Sequence, residues 1–458
     1  MGKPRNIILI VVDSLRYDSV YGQNVSLPYF EKKGIQFGAA RSAACWTLPA
    51  TTSLFTGLMP HEHGATAQTR GFHNHLPTLA EQLKGAGYKT YQSTSNIVTT
   101  NIFGLDRGFD EVFRVWKHAE PRYPKLLHIA VQFGKPRIRN AVLSRDFMLR
   151  RIAEDFSMGV SWSQATYNDS LGYVRQKIKE NEAKGESSFF FINLMEAHFP
   201  YHVGDKFALT APGLWGKFKE TMGLYHTLNQ TMLKKGSNPI PSEVEARLHE
   251  RQKKGWAMLS KPINDFIQEM HQDKDNLVVF TSDHGDNFGD QDWSYHFSNV
   301  TDGGNRVPLV WFGHDHPTAA TKNHLLSSRF VHNDILRAAG LAAEGPSLFE
   351  ERADTLPLLQ SFWYNNDNKT LDKYKYNQLC FIQGKDRFVY RDDVERKFRW
   401  MHAPVSEKMG PEEPFFQNVE AGFDPIQETV TDTERKAYLQ RCFSEFKLFS
   451  DSLGKENK

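Results

Sequence analysis

Only three cysteines, Cys45, Cys380 and Cys442, occur in 458 residues. They are odd in number, widely spaced and never in a zinc-like pair, which argues against a disulfide framework and for a reducing compartment. An excess of one charge is also lacking, because 56 Lys and Arg face 54 Asp and Glu for a formal net charge of +2. A general nucleic-acid binder needs a cationic excess that survives physiological salt, so that class is excluded. No apolar run approaches the ~20 residues of a membrane helix. The first one, Ile7 to Val12, is shorter than a secretory core and ends at once in Asp13, and Asn6 stands where a myristoylation signal has Ser or Thr. These absences predict a cytoplasmic protein without a transmembrane segment.

What is present is a rhythm of short buried runs. Asn6 to Asp13, Ser188 to Leu194, Leu277 to Asp283 and Val307 to Phe312 are rich in β-branched and aromatic residues. Each reads as a strand covered on both faces. Between them lie amphipathic stretches such as Leu76 to Lys84, with Leu79, Leu83 and Tyr88 at helical spacing. The pattern predicts an α/β fold with a mostly parallel central sheet and helices on both faces. Functional residues of such sheets gather at the carboxyl ends of strands, where Asp13, Glu196 and Asp283 fall.

Two regions interrupt the rhythm. Residues 112–151 hold ten Lys and Arg against only Glu120 and Asp146, interleaved with Trp116, Tyr123, Phe133 and Phe147. Such a run reads as a solvated face, or as a lid or peripheral membrane contact over an anionic or lipid-like substrate. Residues 203–256 read as a polar helical insertion. After residue 375 the runs Tyr376 to Gln383, Arg387 to Tyr390 and Lys397 to Trp400 alternate in the manner of antiparallel strands, closed by a helix over Thr433 to Leu448. The expected organisation is a catalytic domain over 1–375 and a small antiparallel-sheet subdomain over 376–458.

Asp13, the Asp283-His284-Gly285 turn and the segment from Cys45 through Thr47 and Pro49 to Thr56-Gly57 carry the chemistry. Two carboxylates and an imidazole at strand ends can hold a divalent cation, and a hydroxyl beside it becomes a nucleophile once its proton is lost. The cation also neutralises charge on a transferring phosphoryl or sulfuryl group.

The chain resembles the alkaline phosphatase/sulfatase superfamily over most of its length. The resemblance rests on seven landmarks in family order: Ile-Leu-Ile-Val-Val-Asp13-Ser-Leu-Arg16, Leu-Phe-Thr-Gly57-Leu-Met-Pro60-His-Glu-His63-Gly64, Thr78 to Tyr88, Arg107-Gly-Phe-Asp110, His198-Phe-Pro-Tyr201, Ser282-Asp-His-Gly285 and Arg306-Val-Pro308. In the register of the family's Cys-x-Pro-Ser-Arg motif, Pro49 takes the proline, Ala50 the serine and Thr51 the arginine. Thr47 therefore takes the nucleophile position, Cys45 is a neighbouring apolar residue, and the sulfatase cofactor formylglycine is not expected.

The resemblance implies one divalent metal ion held by Asp13, Thr47, Asp283 and His284. His284, and Asp13-Ser14 in place of the paired aspartates of calcium sulfatases, favour zinc or manganese, with calcium or magnesium as alternatives. Glu196-Ala-His198 departs from the Asp-x-x-x-His spacing of two-metal members and leaves a second metal doubtful. His198 and His296 are the candidate acids for the leaving oxygen. The Gly-Lys-Trp-His element of sulfatases is missing, and Ser95-Asn96 takes its place, so Asn96 and Arg306 are candidate substrate contacts. His63 is expected to shape a turn.

The leading expectation is a metal-dependent phosphoester hydrolase or phosphotransferase, acting on a phosphodiester or phosphonate monoester through a phosphothreonine intermediate. The alternatives are a sulfuric ester hydrolase without formylglycine and a non-catalytic glycan- or partner-binding protein.

Overall fold

The computed structural model describes residues 2–21, 25, 27–115, 167–199, 201, 240–273, 275–296, 299–313, 319–350, 359–361, 377–392, 398–405 and 409–455. Its core is an eight-stranded sheet. The strands run Ala320–Lys322, Ile35–Phe37, Leu309–Phe312, Asn276–Thr281, Asn6–Val12, Ser188–Leu194, Lys89–Thr94 and Glu111–Arg114 from edge to edge. Leu309–Phe312 is antiparallel to both neighbours, and the remaining pairs are parallel. The mixed α/β architecture expected from the sequence is thus observed.

Burial on both faces, which alternate with a period of two along a strand, explains why Ile7 to Val12 is apolar throughout. Ile7, Leu9 and Val11 face a core that includes Leu48, Leu54 and Phe55 of helix Thr47–Thr56, Leu79 and Leu83 of helix Leu79–Gly85, and Phe330 and Ile335 of helix Phe330–Ala338. Ile8, Ile10 and Val12 face a second core built on helices Tyr167–Glu182 and Ser242–Gln272, with Val174, Trp256, Ile263 and Phe266. Each fully buried large apolar side chain in these layers contributes roughly 1.5–3 kcal/mol. The strand register brings Val12 opposite Leu194, and Val11 opposite Thr281. Asp13, Glu196 and Asp283 therefore emerge along one edge.

Several boundaries differ from expectation. The amphipathic stretch becomes helix Leu79–Gly85, and Thr78 sets its start with a capping box in which Glu81 N donates to Thr78 Oγ1 at 3.1 Å and Thr78 N donates to Glu81 Oε2 at 2.8 Å. The helical insertion does not close at residue 256. One helix runs Ser242–Gln272, because Trp256, Leu259, Ile263, Phe266, Ile267 and Met270 extend its buried stripe past that point. Residues 203–239 of that insertion and 116–151 of the basic stretch lie outside the described residues.

The small antiparallel sheet orders its strands Leu359–Ser361, Asn377–Gln383, Asp386–Asp392, Phe398–Pro404 and Gln417–Asn418. Its first strand precedes the boundary expected at residue 376, and the last helix, Thr433–Lys455, runs beyond Leu448. The sheet and helix share a core of Leu379, Phe381, Leu439, Phe443 and Phe446 with Ala43 and Met59 of the larger part. A buried ion network crosses the same boundary. Arg387 Nη1 reaches Glu413 at 2.7 Å, its Nη2 lies 3.5 Å from Asp302, and Asp302 binds Arg41 Nε at 2.8 Å. Removing one partner from such a network strands a buried charge and costs about 3–5 kcal/mol.

A second buried network lies behind the strand ends. Arg16 Nε donates to Asp18 and Nη1 to Asp290, at 2.8 and 2.7 Å. Burial alone would raise the Asp18 carboxyl, but Arg16 overrides it and holds the pKa at about 2 against an ordinary 3.8. A depressed carboxyl contributes stability above its unfolded pKa that is lost as pH falls through the folded one. Asp18 therefore supplies on the order of 2 kcal/mol that disappears between roughly pH 4 and pH 2. Chemical denaturation of Asp18→Asn across that window is expected to show a flatter acid dependence than the native chain; an unchanged slope would refute the assignment.

Candidate active site

Asp13 is fully buried at the end of the central strand. Its Oδ2 accepts from Asn96 Nδ2 at 2.7 Å and from Asn193 Nδ2 at 3.4 Å, and lies 3.5 Å from Thr47 Oγ1. Asn96 is aimed by its own turn: Oδ1 caps Val98 N at 2.8 Å, which leaves the amide nitrogen for Asp13. Thr47 opens the ten-residue helix Thr47–Thr56 after an extended Trp46, and every residue of that helix is buried. Trp46 supplies no side-chain cap, so the positive end of the helix is turned to the Thr47 hydroxyl. Any negative charge that forms on that oxygen is stabilised there.

Asp283 Oδ1 accepts from Ser14 N at 3.2 Å and from His284 N at 3.0 Å. Ser14 makes this bond from the left-handed region, at φ 60°, a conformation that a non-glycine residue keeps only where its surroundings enforce it. His284 Nδ1 donates to the Gly285 carbonyl at 2.9 Å. Its Nε2 therefore carries the lone pair, 3.4 Å from Thr47 Oγ1, 3.5 Å from Asp283 Oδ2 and 3.7 Å from Asp13 Oδ1. Gly285 is required at this turn, since a Cβ would stand 2.2 Å from the Gly303 carbonyl oxygen.

Burial and the neighbouring Asp13 push the Asp283 carboxyl well above the usual carboxylate range. Burial acts against the Asp13 charge too, but His198, His284 and the Asn96 hydrogen bond win and hold Asp13 low. These donors fit a divalent cation on three counts. Asp283 Oδ2 is buried without a hydrogen-bond partner. The two carboxylates repel unless a positive charge lies between them. Donor spacings of 3.4–3.7 Å approach the edge of a tetrahedron with bonds of about 2.1 Å. Asp13, Asp283 and His284 form one group of candidate ligands among the described residues, with Thr47 beside it.

A second group, His284, Asp286 and His296, adjoins the first. Strands Asn287–Asp290 and Trp293–Tyr295 form a hairpin in which Asn287 pairs with Tyr295, so Asp286 and His296 stand at its two feet. His296 Nδ1 lies 2.5 Å from Asp286 Oδ1, and Tyr201 donates to Asp286 Oδ2 at 2.6 Å. Burial raises the Asp286 carboxyl to about 6 even though His198, His284 and the Tyr201 hydrogen bond act to lower it. The His296 ring lies 4.6 Å from the His284 ring and 5.3 Å from the His198 ring, centroid to centroid. His198 Nδ1 donates to the Phe199 carbonyl at 2.6 Å, and its Nε2 is 3.9 Å from Asp13 Oδ1.

Thr47, Asp13, Asp283, His284, Asn96, His198 and His296 are thus brought together. Arg306 is not: its Nη2 donates to the Gly38 carbonyl at 2.8 Å and its guanidinium lies 4.1 Å from the Tyr17 ring centroid. It braces the strand ends, where its backbone also bridges to Arg41. Glu196 Oε1 accepts from Tyr167 N at 2.8 Å and so anchors the start of helix Tyr167–Glu182. His63 shapes its turn as expected, with Nε2 on Ser53 Oγ at 3.0 Å. Asp286 and Asn193 escaped the sequence reading, and Tyr201 entered it only as the end of a landmark motif, without a role in the site. Asn193 had a signal as the polar residue of an otherwise apolar run, and Asp286 stands only three residues past Asp283.

Residues 5–341, well over half the chain, match the family model described as Sulfatase. The chain belongs to the sulfatase family and is a sulfatase-like ester hydrolase. It is 22% identical over 432 residues to a choline-sulfatase of Rhizobium meliloti (strain 1021), covering 85% of this chain and 78% of that protein. Its fold is similar to that of the phosphonate monoester hydrolase of Agrobacterium radiobacter, with a TM-score of 0.63 at 15% identity over 98% of this chain and 96% of that one. The lipoteichoic acid synthase LtaP of Listeria monocytogenes shares it at a TM-score of 0.55 and 11% identity, over 99% and 93% of the two chains. No helix among the described residues is long and apolar enough to cross a membrane.

Proposed function

We propose that this protein is a metal-dependent phosphoester hydrolase, with a phosphodiester or phosphonate monoester as substrate and Thr47 as nucleophile. One observation carries the reading: the hydroxyl at the buried helix start, 3.4 Å from His284 Nε2, belongs to a threonine. A threonine cannot become formylglycine, and Cys45 lies two positions upstream, buried. The phosphonate monoester hydrolase fold and the LtaP fold are consistent with transfer at phosphorus.

Asp13, Thr47, Asp283 and His284 would hold one divalent ion, with zinc or manganese favoured by the mixed oxygen and nitrogen donor set. When bound, that ion supplies charge neutralisation at phosphorus and eases loss of the Thr47 proton. The chain does the rest by position. Asn96 orients Asp13, the helix start favours negative charge on the Thr47 oxygen, and His198 and His296 stand where a leaving oxygen needs a proton. Attack by Thr47 gives a phosphothreonine that water resolves. A threonine sulfate ester lacks the route by which a formylglycine hydrate expels sulfate, so the chemistry weighs against a sulfuric ester. The choline-sulfatase likeness is what favours that second reading.

Purified protein loaded in turn with zinc and manganese, given matched aryl phosphonate, phosphodiester, phosphomonoester and sulfate esters, separates the two. The expected result is kcat/KM for the phosphonate or phosphodiester at least about 100-fold above that for sulfate, a gap of about 2.7 kcal/mol. Preference for sulfate would reverse the proposal, and no turnover of any ester would favour a binding protein.

A further inference from the structure

Helix Ser242–Gln272 carries a buried amide against the ends of the central strands. It passes so close to the turn after strand Ser188–Leu194 that a Cβ on Gly255 would collide with the Glu196 carbonyl oxygen. Three residues earlier, Gln252 is fully buried. Its Nε2 donates to the Ser14 carbonyl at 2.9 Å and to the Ala197 carbonyl at 3.2 Å, and its Oε1 accepts from Ser19 Oγ at 2.9 Å. Carbonyls only accept, so the end of the amide that faces two of them is its nitrogen, and the orientation of the side chain is fixed. One residue thereby ties the helix to the end of strand Asn6–Val12, to the turn after Ser188–Leu194 and to helix Tyr17–Tyr21.

Ser14 connects this network to the candidate ligands. Its left-handed conformation, at φ 60°, turns its N–H to Asp283 Oδ1 at 3.2 Å, while its Oγ donates to Asp13 Oδ1 at 3.2 Å. The next amide, Leu15 N, donates to Ser282 Oγ at 3.0 Å, and that hydroxyl donates to the His284 carbonyl at 2.6 Å. A single residue therefore touches both carboxylates, and the peptide after it grips the turn that carries Asp283 and His284. The carbonyl of that peptide is the group Gln252 holds. Without the amide, a buried carbonyl loses its donor, and a serine gains by relaxing to negative φ, which carries its N–H away from Asp283.

We infer that Gln252 is a positioning residue of the metal site: it keeps Ser14 left-handed, and Ser14 in turn holds the Asp13 and Asp283 carboxylates in place for one cation. The inference rests on the reading of Asp13, Thr47, Asp283 and His284 as the donors of a divalent ion. Ser14 N and His284 N both occupy Asp283 Oδ1, so Oδ2 is the oxygen left to bind, and it is the one without a hydrogen-bond partner. The amide bonds of Gln252 go to two backbone carbonyls and Ser19, so its influence on the ion passes through Ser14. Groups behind the ligands of a metal set the ligands' orientation, and their loss weakens binding by about 10- to 100-fold.

The test measures zinc and manganese affinity by competition with a chelator, beside thermal melts of the metal-free protein. Gln252→Met keeps the length of the side chain and removes its amide, and it is expected to weaken binding of both ions about 10-fold or more. Glycine adopts positive φ without strain, so Ser14→Gly should make the amide dispensable. Ser14→Gly alone should bind within about 5-fold of the native chain, and adding Gln252→Met to it should cost less than about a further 3-fold. Native affinity in Gln252→Met, whatever its melting temperature, would overturn the inference, and so would an equal loss in both backgrounds. A Ser14→Gly chain that no longer binds would overturn it too, by showing that the hydroxyl and not the conformation matters. Where Gln252→Met fails to fold, Gln252→Asn, an amide one methylene shorter, carries the comparison. Asp13→Asn, measured alongside, keeps the two ideas apart. Binding that survives in it sinks the metal-site reading, whereas lost binding there beside native affinity in Gln252→Met sinks only the role of Gln252.

Discussion

Thr47→Ala is expected to lower kcat by about 10,000-fold or more on every ester turned over, a loss of about 5.5 kcal/mol of transition-state stabilisation. The size follows from what the hydroxyl does. Set at the helix start, it can bond to phosphorus while lying 3.4 Å from His284 Nε2 and 3.5 Å from Asp13 Oδ2. Thr47→Ser keeps the oxygen and is expected to retain activity within about 100-fold, the loss arising from a hydroxyl no longer held by the β-branch. Thr47 is 4% exposed, so truncation to alanine removes little packing and should cost on the order of 1 kcal/mol of stability. Thermal melts beside single-turnover assays with labelled substrate separate the effects. A native-like Thr47→Ala that still forms a phosphorylated protein would refute the nucleophile assignment.

Chelation should abolish turnover, and Asp13→Asn should reproduce that loss even with metal restored. The four donors come from three distant segments, so the site exists only in the folded chain and metal binding adds to folding stability. A metal at 100 times its dissociation constant stabilises by about 2.7 kcal/mol. The native chain is therefore expected to melt several degrees higher with zinc or manganese than after chelation, and Asp13→Asn to melt at the same temperature in both conditions. A metal-dependent rise that survives in Asp13→Asn would show that Asp13 is not a ligand.

Asp13 and Asp283 were legible because each terminates an apolar run, and the run's pattern by itself places a carboxylate at a strand end. Thr47 and His284 were legible through register within recognisable motifs. Asn96 was found by its place in the order of motifs, though its partner turned out to be Asp13. Asp286 was not found, because its partner His296 lies ten residues on and the two meet only when a hairpin closes. Gln291-Asp292 is a weak turn signal next to Asn-Gly or Asp-Gly. Arg306 shows the opposite failure: its motif put it near the strand ends, but nothing in spacing says that its guanidinium turns to Gly38 and Tyr17. The extent of helix Ser242–Gln272 was missed because a polar first half masks the apolar stripe of the second.

The arrangement of the central sheet has a consequence for biosynthesis. Asn6–Val12 is made first, yet its two neighbours start at Ser188 and Asn276. At about 5–20 residues per second the strand waits on the order of tens of seconds for both partners. Arg41 waits longer for the Arg387 side of its ion network. Throughout that interval the nascent chain carries an unpaired apolar strand, open to mispairing with other chains. Asp13 and Asp283 remain on separate segments until the third strand joins. Holdase protection early in synthesis and assembly of the site late in it are the order that this topology imposes.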